Sequence, residues 1–230
     1  MGRREEARDP RPRGGAGRMS LSARYDASVE FLAGVDADWA QLIAQIGPCR
    51  HDPKAAREPY EALVRAIAYQ QLTAKAGDAM IGRLMALFGD RIFPTPRDLV
   101  DADAGLLRAC GFSASKTATI QAVAAAAIAG VVPARKTAVT MDDETLIERM
   151  ISIKGVGRWT VEMLLMYSLE RMDVLPVDDF GVREGYRVLK SLDAQPKPKA
   201  LREIARAWAP HRTVAAWYLW RVPRARAETS

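Results

Sequence analysis

The 230-residue chain is poor in cysteine, with only Cys49 and Cys110, far apart and each alone. No CxxC or Cys/His spacing exists, which excludes a zinc site or an iron–sulfur cluster of the usual kind. Two isolated thiols build no disulfide framework, which fits a reducing, intracellular setting. Long apolar runs are missing as well. The most apolar stretch, Val161 to Leu169, is interrupted by Glu162, Tyr167 and Ser168 and falls short of the roughly 18–20 residues a membrane helix needs, so no membrane contact is expected. Convincing strand alternation is absent, as is any repeat of about 20–50 residues. Histidine is scarce: His51 reads as a surface residue, and His211 as either a core histidine or part of a cleft.

What the chain does have is unevenly placed positive charge. The net charge is +6, yet Lys197 to Arg226 holds eight Lys/Arg against the single acid Glu203. That segment alone carries +7, so the remainder is close to neutral. It reads as a solvated helical face or as a surface for a polyanion. Residues 1–20 form an expected disordered basic tail, because the first eighteen hold six Arg, three acids and almost no apolar side chains. Without an apolar centre this tail is no secretory signal.

Apolar residues recur at helical spacing almost everywhere after Ser20, so the fold class is all-α with roughly ten helices. Helices are predicted over 27–46, 58–73, 75–88, 96–102, 103–109, 114–129, 142–151, 158–169, 179–190, 199–208 and 212–221. Thr95-Pro96 is a start signal, and Gly111 and Gly130 are stop signals.

Three segments carry chemistry. In Ile151-Ser-Ile-Lys-Gly-Val-Gly-Arg-Trp-Thr160, Gly155 and Gly157 sit where the backbone must turn sharply. The helix that follows presents unpaired N–H groups, with Arg158 and Thr160 beside them, as a phosphate oxygen would require. A plain glycine-capped helical turn explains the same residues. In Leu175-Pro-Val-Asp-Asp-Phe-Gly-Val-Arg183, Asp178 is the expected N-cap and Asp179 lies in the first turn. Either is a simple cap or a carboxylate in a partly dehydrated place. In Ile67-Ala-Tyr-Gln-Gln-Leu-Thr73, Tyr69, Gln70 and Gln71 interrupt a buried stripe. Consecutive amides suit either a plain surface or a helix end opening onto a cleft.

Together and in this order, LVRAIAYQQLTAKA, ISIKGVGRWTVEMLL and LPVDDFGVR resemble the helix-hairpin-helix (HhH-GPD) DNA glycosylase superfamily, and within it the AlkA-like 3-methyladenine-DNA glycosylase II group. The likeness covers about residues 58–220. It implies a two-lobed helical fold, one lobe from 21–63 plus 190–222 and the other from 64–189. It further implies a monofunctional glycosylase that flips an alkylated purine from double-stranded DNA and hydrolyses its bond to the sugar. The alternatives are another damaged base, or a non-catalytic DNA-binding protein.

By the same resemblance, Asp178 is the expected catalytic carboxylate, with Asp179 the alternative. Trp159, Tyr69, Gln70 and Met163 line the base pocket, with Met163 standing where some relatives have an aromatic. Gln71 is the wedge that fills the vacated stack. Lys154, Gly155, Val156, Gly157, Arg158 and Thr160 bind the DNA backbone. The carbonyls of Ile151, Ile153 and Val156 hold a K⁺ or Na⁺, and no catalytic cofactor is expected. Trp159 replaces the lysine of bifunctional members, so no Schiff base and no lyase step are expected. The resemblance also implies a monomer, cytoplasmic and nucleoid-associated.

Overall fold

The computed structural model describes residues 19–89 and 93–222. Of the tail expected over residues 1–20, residues 1–18 lie outside the described residues, as do Arg224 and Arg226 of the basic segment, whereas Ser20 is ordered as the cap of the first helix. Among those described the chain is all-helical, with thirteen α-helices, one 3₁₀ turn and no strand.

Local chemistry explains most of the boundaries. The stretch 27–46 divides into α1 (Leu21–Ala33) and α2 (Ala37–Ile46), because Asp36 accepts from the N–H groups of Asp38 and Trp39 and starts a second helix. The helix expected to reach residue 73 stops earlier, as α3 (Pro59–Tyr69), since Gln71 takes a φ of 57° that no helix continues through. Thr73 then caps α4 (Ala74–Leu87). Thr95 and Asp98 form a reciprocal capping box at α5 (Pro96–Asp101). Asp103 caps α6 (Ala104–Ala109) and Ser113 caps α7 (Ala114–Ile128). The short α8 (Arg135–Ala138) was not expected, having only one turn and no apolar period. Asp142 caps α9 (Asp143–Ile151), and α10 (Arg158–Tyr167) follows the glycine turn. The last elements are α11 (Phe180–Leu189), α12 (Pro198–Ile204), a 3₁₀ turn (Ala205–Trp208) and α13 (Arg212–Leu219).

Packing sorts these helices into two lobes. In the central one, α3 lies against α4, α7 and α10, while α5 and α6 cover α7, and α9 pairs with α10. In the other, α1, α2, α11 and α13 pack together, with α12 and the 3₁₀ turn beside them. All of α3 therefore belongs with the central helices, and α11 packs with the two chain ends, on either side of the divisions expected at 63/64 and 189/190. Leu63 and Ile67 are fully buried on α3, and Trp39, Trp208 and Tyr218 form the core of the terminal lobe. Each such side chain contributes about 1.5–3 kcal/mol by leaving water.

Both histidines are structural. His51 is buried, not superficial: its Nε2–H donates to the Met166 carbonyl at 3.2 Å and its ring leans on Tyr167 at 4.6 Å. His211 joins α13 to α1, bonding the Ser28 hydroxyl at 2.9 Å and packing at a tilt against the Phe31 ring at 4.5 Å. Burial lowers the pKa of both rings.

Candidate active site

A cleft of about 710 Å³ opens between the lobes, lined by Tyr69, Trp159, Met163, Tyr167, Asp179 and Trp220, with Leu72 on its rim. Trp159 and Met163 stand four residues apart on α10, so one helical face supplies both. Tyr69 ends α3. A Cβ on Gly77 would lie 2.2 Å from the Tyr69 ring, so glycine at that point of α4 is what lets the ring lie there. The Tyr69 hydroxyl donates to Asp78, and burial with that carboxylate alongside pushes the phenol up to about 12.

One carboxylate organises the cleft, and it is the second of the adjacent pair. Asp179, not Asp178, is the N-cap of α11: its Oδ1 accepts from the Val182 N–H at 2.8 Å. The same oxygen accepts from the Trp220 indole at 2.9 Å, and Oδ2 accepts from the Trp159 indole at 2.8 Å. Asp178 is exposed and does not line the cleft. A helix has one cap residue, and the backbone entering through Val177 presents the second carboxylate to the first turn and leaves the first in solvent. Three N–H donors thus hold the Asp179 carboxylate in place. Trp220 escaped sequence reasoning, because an indole at the end of α13 carries no local pattern pointing to residue 179. Phe180, next to Asp179, is 69% exposed, unusual for so large a ring.

The glycine turn joins α9 to α10. Gly155 adopts a φ of 86°, and a Cβ there would lie 2.1 Å from the Thr119 hydroxyl of α7, so glycine is required twice over. Lys154, Gly155 and Gly157 are exposed, while the side chains of Ile153 and Val156 are buried and anchor the turn. Gly157 caps α10 without a side chain, which leaves first-turn N–H groups available to an anion.

Two expected backbone contacts turn inward. The Arg158 guanidinium is bound to Glu144 on α9 and, through Nε at 3.0 Å, to Glu162. It staples the two arms of the turn and is not free for a phosphate. The Thr160 hydroxyl is buried and accepts from Gln70 Nε2 at 2.9 Å. Gln70 thus ties α3 to α10, while Gln71 stands exposed at the tip beside Leu72, which is 44% exposed. The Ile151, Ile153 and Val156 carbonyls belong to this turn. That of Ile153 also accepts the Val156 N–H at 3.0 Å, leaving it a second lone pair. Neutral carbonyl oxygens suit a hard monovalent cation.

On another face of α10, Glu162 borders a second cavity of about 380 Å³ with Asp143, Glu144, Arg158 and Arg202. Its Oε2 has no partner, and burial pushes the carboxyl up to about 7.

Comparison with known proteins agrees with this arrangement. A family model described as HhH-GPD superfamily base excision DNA repair protein matches residues 64–211. The chain is 43% identical over 194 residues to DNA-3-methyladenine glycosylase 1 of Schizosaccharomyces pombe, covering 84% of this chain and 85% of that protein. It is 34% identical to the alkylbase DNA glycosidase-like protein mag2 of the same organism, over 90% of this chain and 97% of the relative. Among solved structures, S. pombe 3-methyladenine DNA glycosylase in complex with abasic DNA superposes with a TM-score of 0.80, at 42% identity, over 86% of this chain and 97% of that one. A DNA-3-methyladenine glycosidase from Bacillus halodurans superposes with a TM-score of 0.74 at 33% identity, over 87% and 91%.

Proposed function

Since this chain belongs to the HhH-GPD superfamily of base excision DNA repair proteins, we propose that it is a monofunctional DNA glycosylase that releases alkylated purines from double-stranded DNA inside the cell. The observation that carries the reading is the Asp179 carboxylate, held by two indole N–H groups in the wall of an aromatic cleft.

The exposed hairpin at Lys154 to Gly157 takes the phosphate backbone on its free N–H groups, and the carbonyls of Ile151, Ile153 and Val156 would hold a K⁺ or Na⁺ that adds positive charge there. The tip at Gln71 and Leu72 enters the stack as one nucleotide swings into the cleft. Extrusion costs a few kcal/mol, least for weakly paired bases. Trp159, Tyr69 and Trp220 offer ring faces to the base, and a cationic alkylpurine gains about 0.5–2 kcal/mol from such a face. As the N-glycosidic bond breaks, its electron pair leaves with the base and the sugar becomes cationic. Asp179⁻ stabilises that cation and accepts the proton of the water that adds to the sugar carbon. An alkylated purine departs neutral, so no strong general acid is required.

Residue 159 carries an indole where a lyase needs an amine, and Lys54, which borders the cleft, is ion-paired with Asp52. Base release without strand cleavage is the expected outcome. The test is a panel of duplexes carrying 3-methyladenine, 7-methylguanine, hypoxanthine, 1-methyladenine or uracil, scored for abasic sites. Asp179→Asn should abolish release and Asp178→Asn should preserve it. The opposite pattern, or no release by the wild type from any alkylated duplex, overturns the reading.

A further inference from the structure

We propose that α7 is the gauge that sets the Gln71–Leu72 tip relative to the hairpin, and that Lys116 is a positioning residue for base extrusion. The inference rests on the cleft being a glycosylase site. Lys116 Nζ donates to two backbone carbonyls at the end of α3, that of Ala68 at 3.0 Å and that of Gln70 at 2.8 Å. Carbonyls in the last turn of a helix have no partner within it, and they sit at the negative end of its dipole, so a cation is the natural cap. The chain then makes its left-handed step at Gln71, with φ 57°, and projects Leu72 onto the cleft rim.

One turn further along α7, Thr119 fills the space that the missing Cβ of Gly155 leaves open. Residues three apart on a helix share a face. The same face therefore holds the turn that would enter the base stack and the turn that would grip the backbone. Gln70 closes the triangle through its 2.9 Å bond to Thr160 on α10. A tip pushed into a base stack bears the load of the displaced nucleotide. Bonds from a charged donor to the tip's own backbone transmit that load to α7, where a side-chain contact alone would let the turn give way.

Lys116→Met removes the donors and keeps an unbranched chain. In the full protein, affinity is measured for a duplex with a tetrahydrofuran abasic analogue and for the undamaged duplex, each across salt concentrations. The abasic preference should fall by about tenfold, the scale of a lost charge-assisted bond, with undamaged-duplex affinity and salt slope unchanged. Lys116→Arg should restore most of the preference. On a Leu72→Ala background Lys116→Met should cost little more, because the residue it positions is gone. Full preference in Lys116→Met, an equal loss on both duplexes, or complete additivity with Leu72→Ala overturns the proposal. Should Lys116→Met not fold, Thr160→Val tests the second anchor by the same ratio, and an unchanged ratio there is equally fatal. These ratios need no base release, so a failed gauge is distinguishable from a failed glycosylase reading.

Discussion

Glutamine in place of Glu162 should change how stability depends on pH. The residue is 3% exposed, and burial outweighs the attraction of Arg158, with Asp178 adding repulsion, so its carboxyl titrates at about 7 and not at the ordinary 4.5. Between those values the native protein holds a proton that the unfolded chain has released. Native protein thus binds more protons than unfolded, and stability must fall as pH rises through this window. The contribution is fully present below about pH 4.5 and gone above about pH 7. A displacement of this size is worth about 3 kcal/mol at most. Gln keeps an oxygen for the Arg158 Nε–H but has no proton to lose. Urea unfolding of wild type and Glu162→Gln from pH 5 to 8 gives the comparison, because the titration of His51 and His211 cancels in the difference. The difference should grow in favour of the variant as pH rises. Parallel curves would mean that Glu162 is ionised throughout, and the dehydrated environment described for it would be wrong.

Other outcomes concern the cleft and the hairpin. Trp220→Phe keeps a ring but removes one N–H from Asp179; at about 1.5–3 kcal/mol for a bond to a charged group, kcat/KM for 7-methylguanine release should fall about 10- to 100-fold with little change in duplex affinity. A loss under about twofold would show that this indole does not hold the carboxylate. Gly155→Ala meets both the positive φ and the Thr119 hydroxyl, so binding should weaken on damaged and undamaged duplexes alike, with a shallower salt slope. Unchanged affinity in a filter-binding titration would remove the hairpin from the interface.

The helical class, the glycine turn, the adjacent aspartates and the Gln pair were all legible in the sequence, since each depends on near neighbours: helical spacing, a residue without Cβ, a cap. Choosing between Asp178 and Asp179 was beyond it. Both are good caps one residue apart, and the decision falls to the Val182 N–H and to indoles 20 residues before and 41 after. Arg158 misled for a related reason. A cation beside a phosphate-binding turn reads as a ligand until Glu144 and Glu162 are seen to claim it. Lys116 and Trp220 gave no local pattern, because their partners are 46 and 41 residues away.

That the donors to Asp179 come from residues 159, 182 and 220 bears on when the molecule can first act. Residue 159 sits on α10 of the central lobe, while 182 lies in α11 and 220 closes α13 in the other, so the acid is oriented only once both lobes have formed and met. Full catalytic strength therefore arrives only with α13 docked, and a chain in which that helix has come loose would keep the hairpin but release bases poorly.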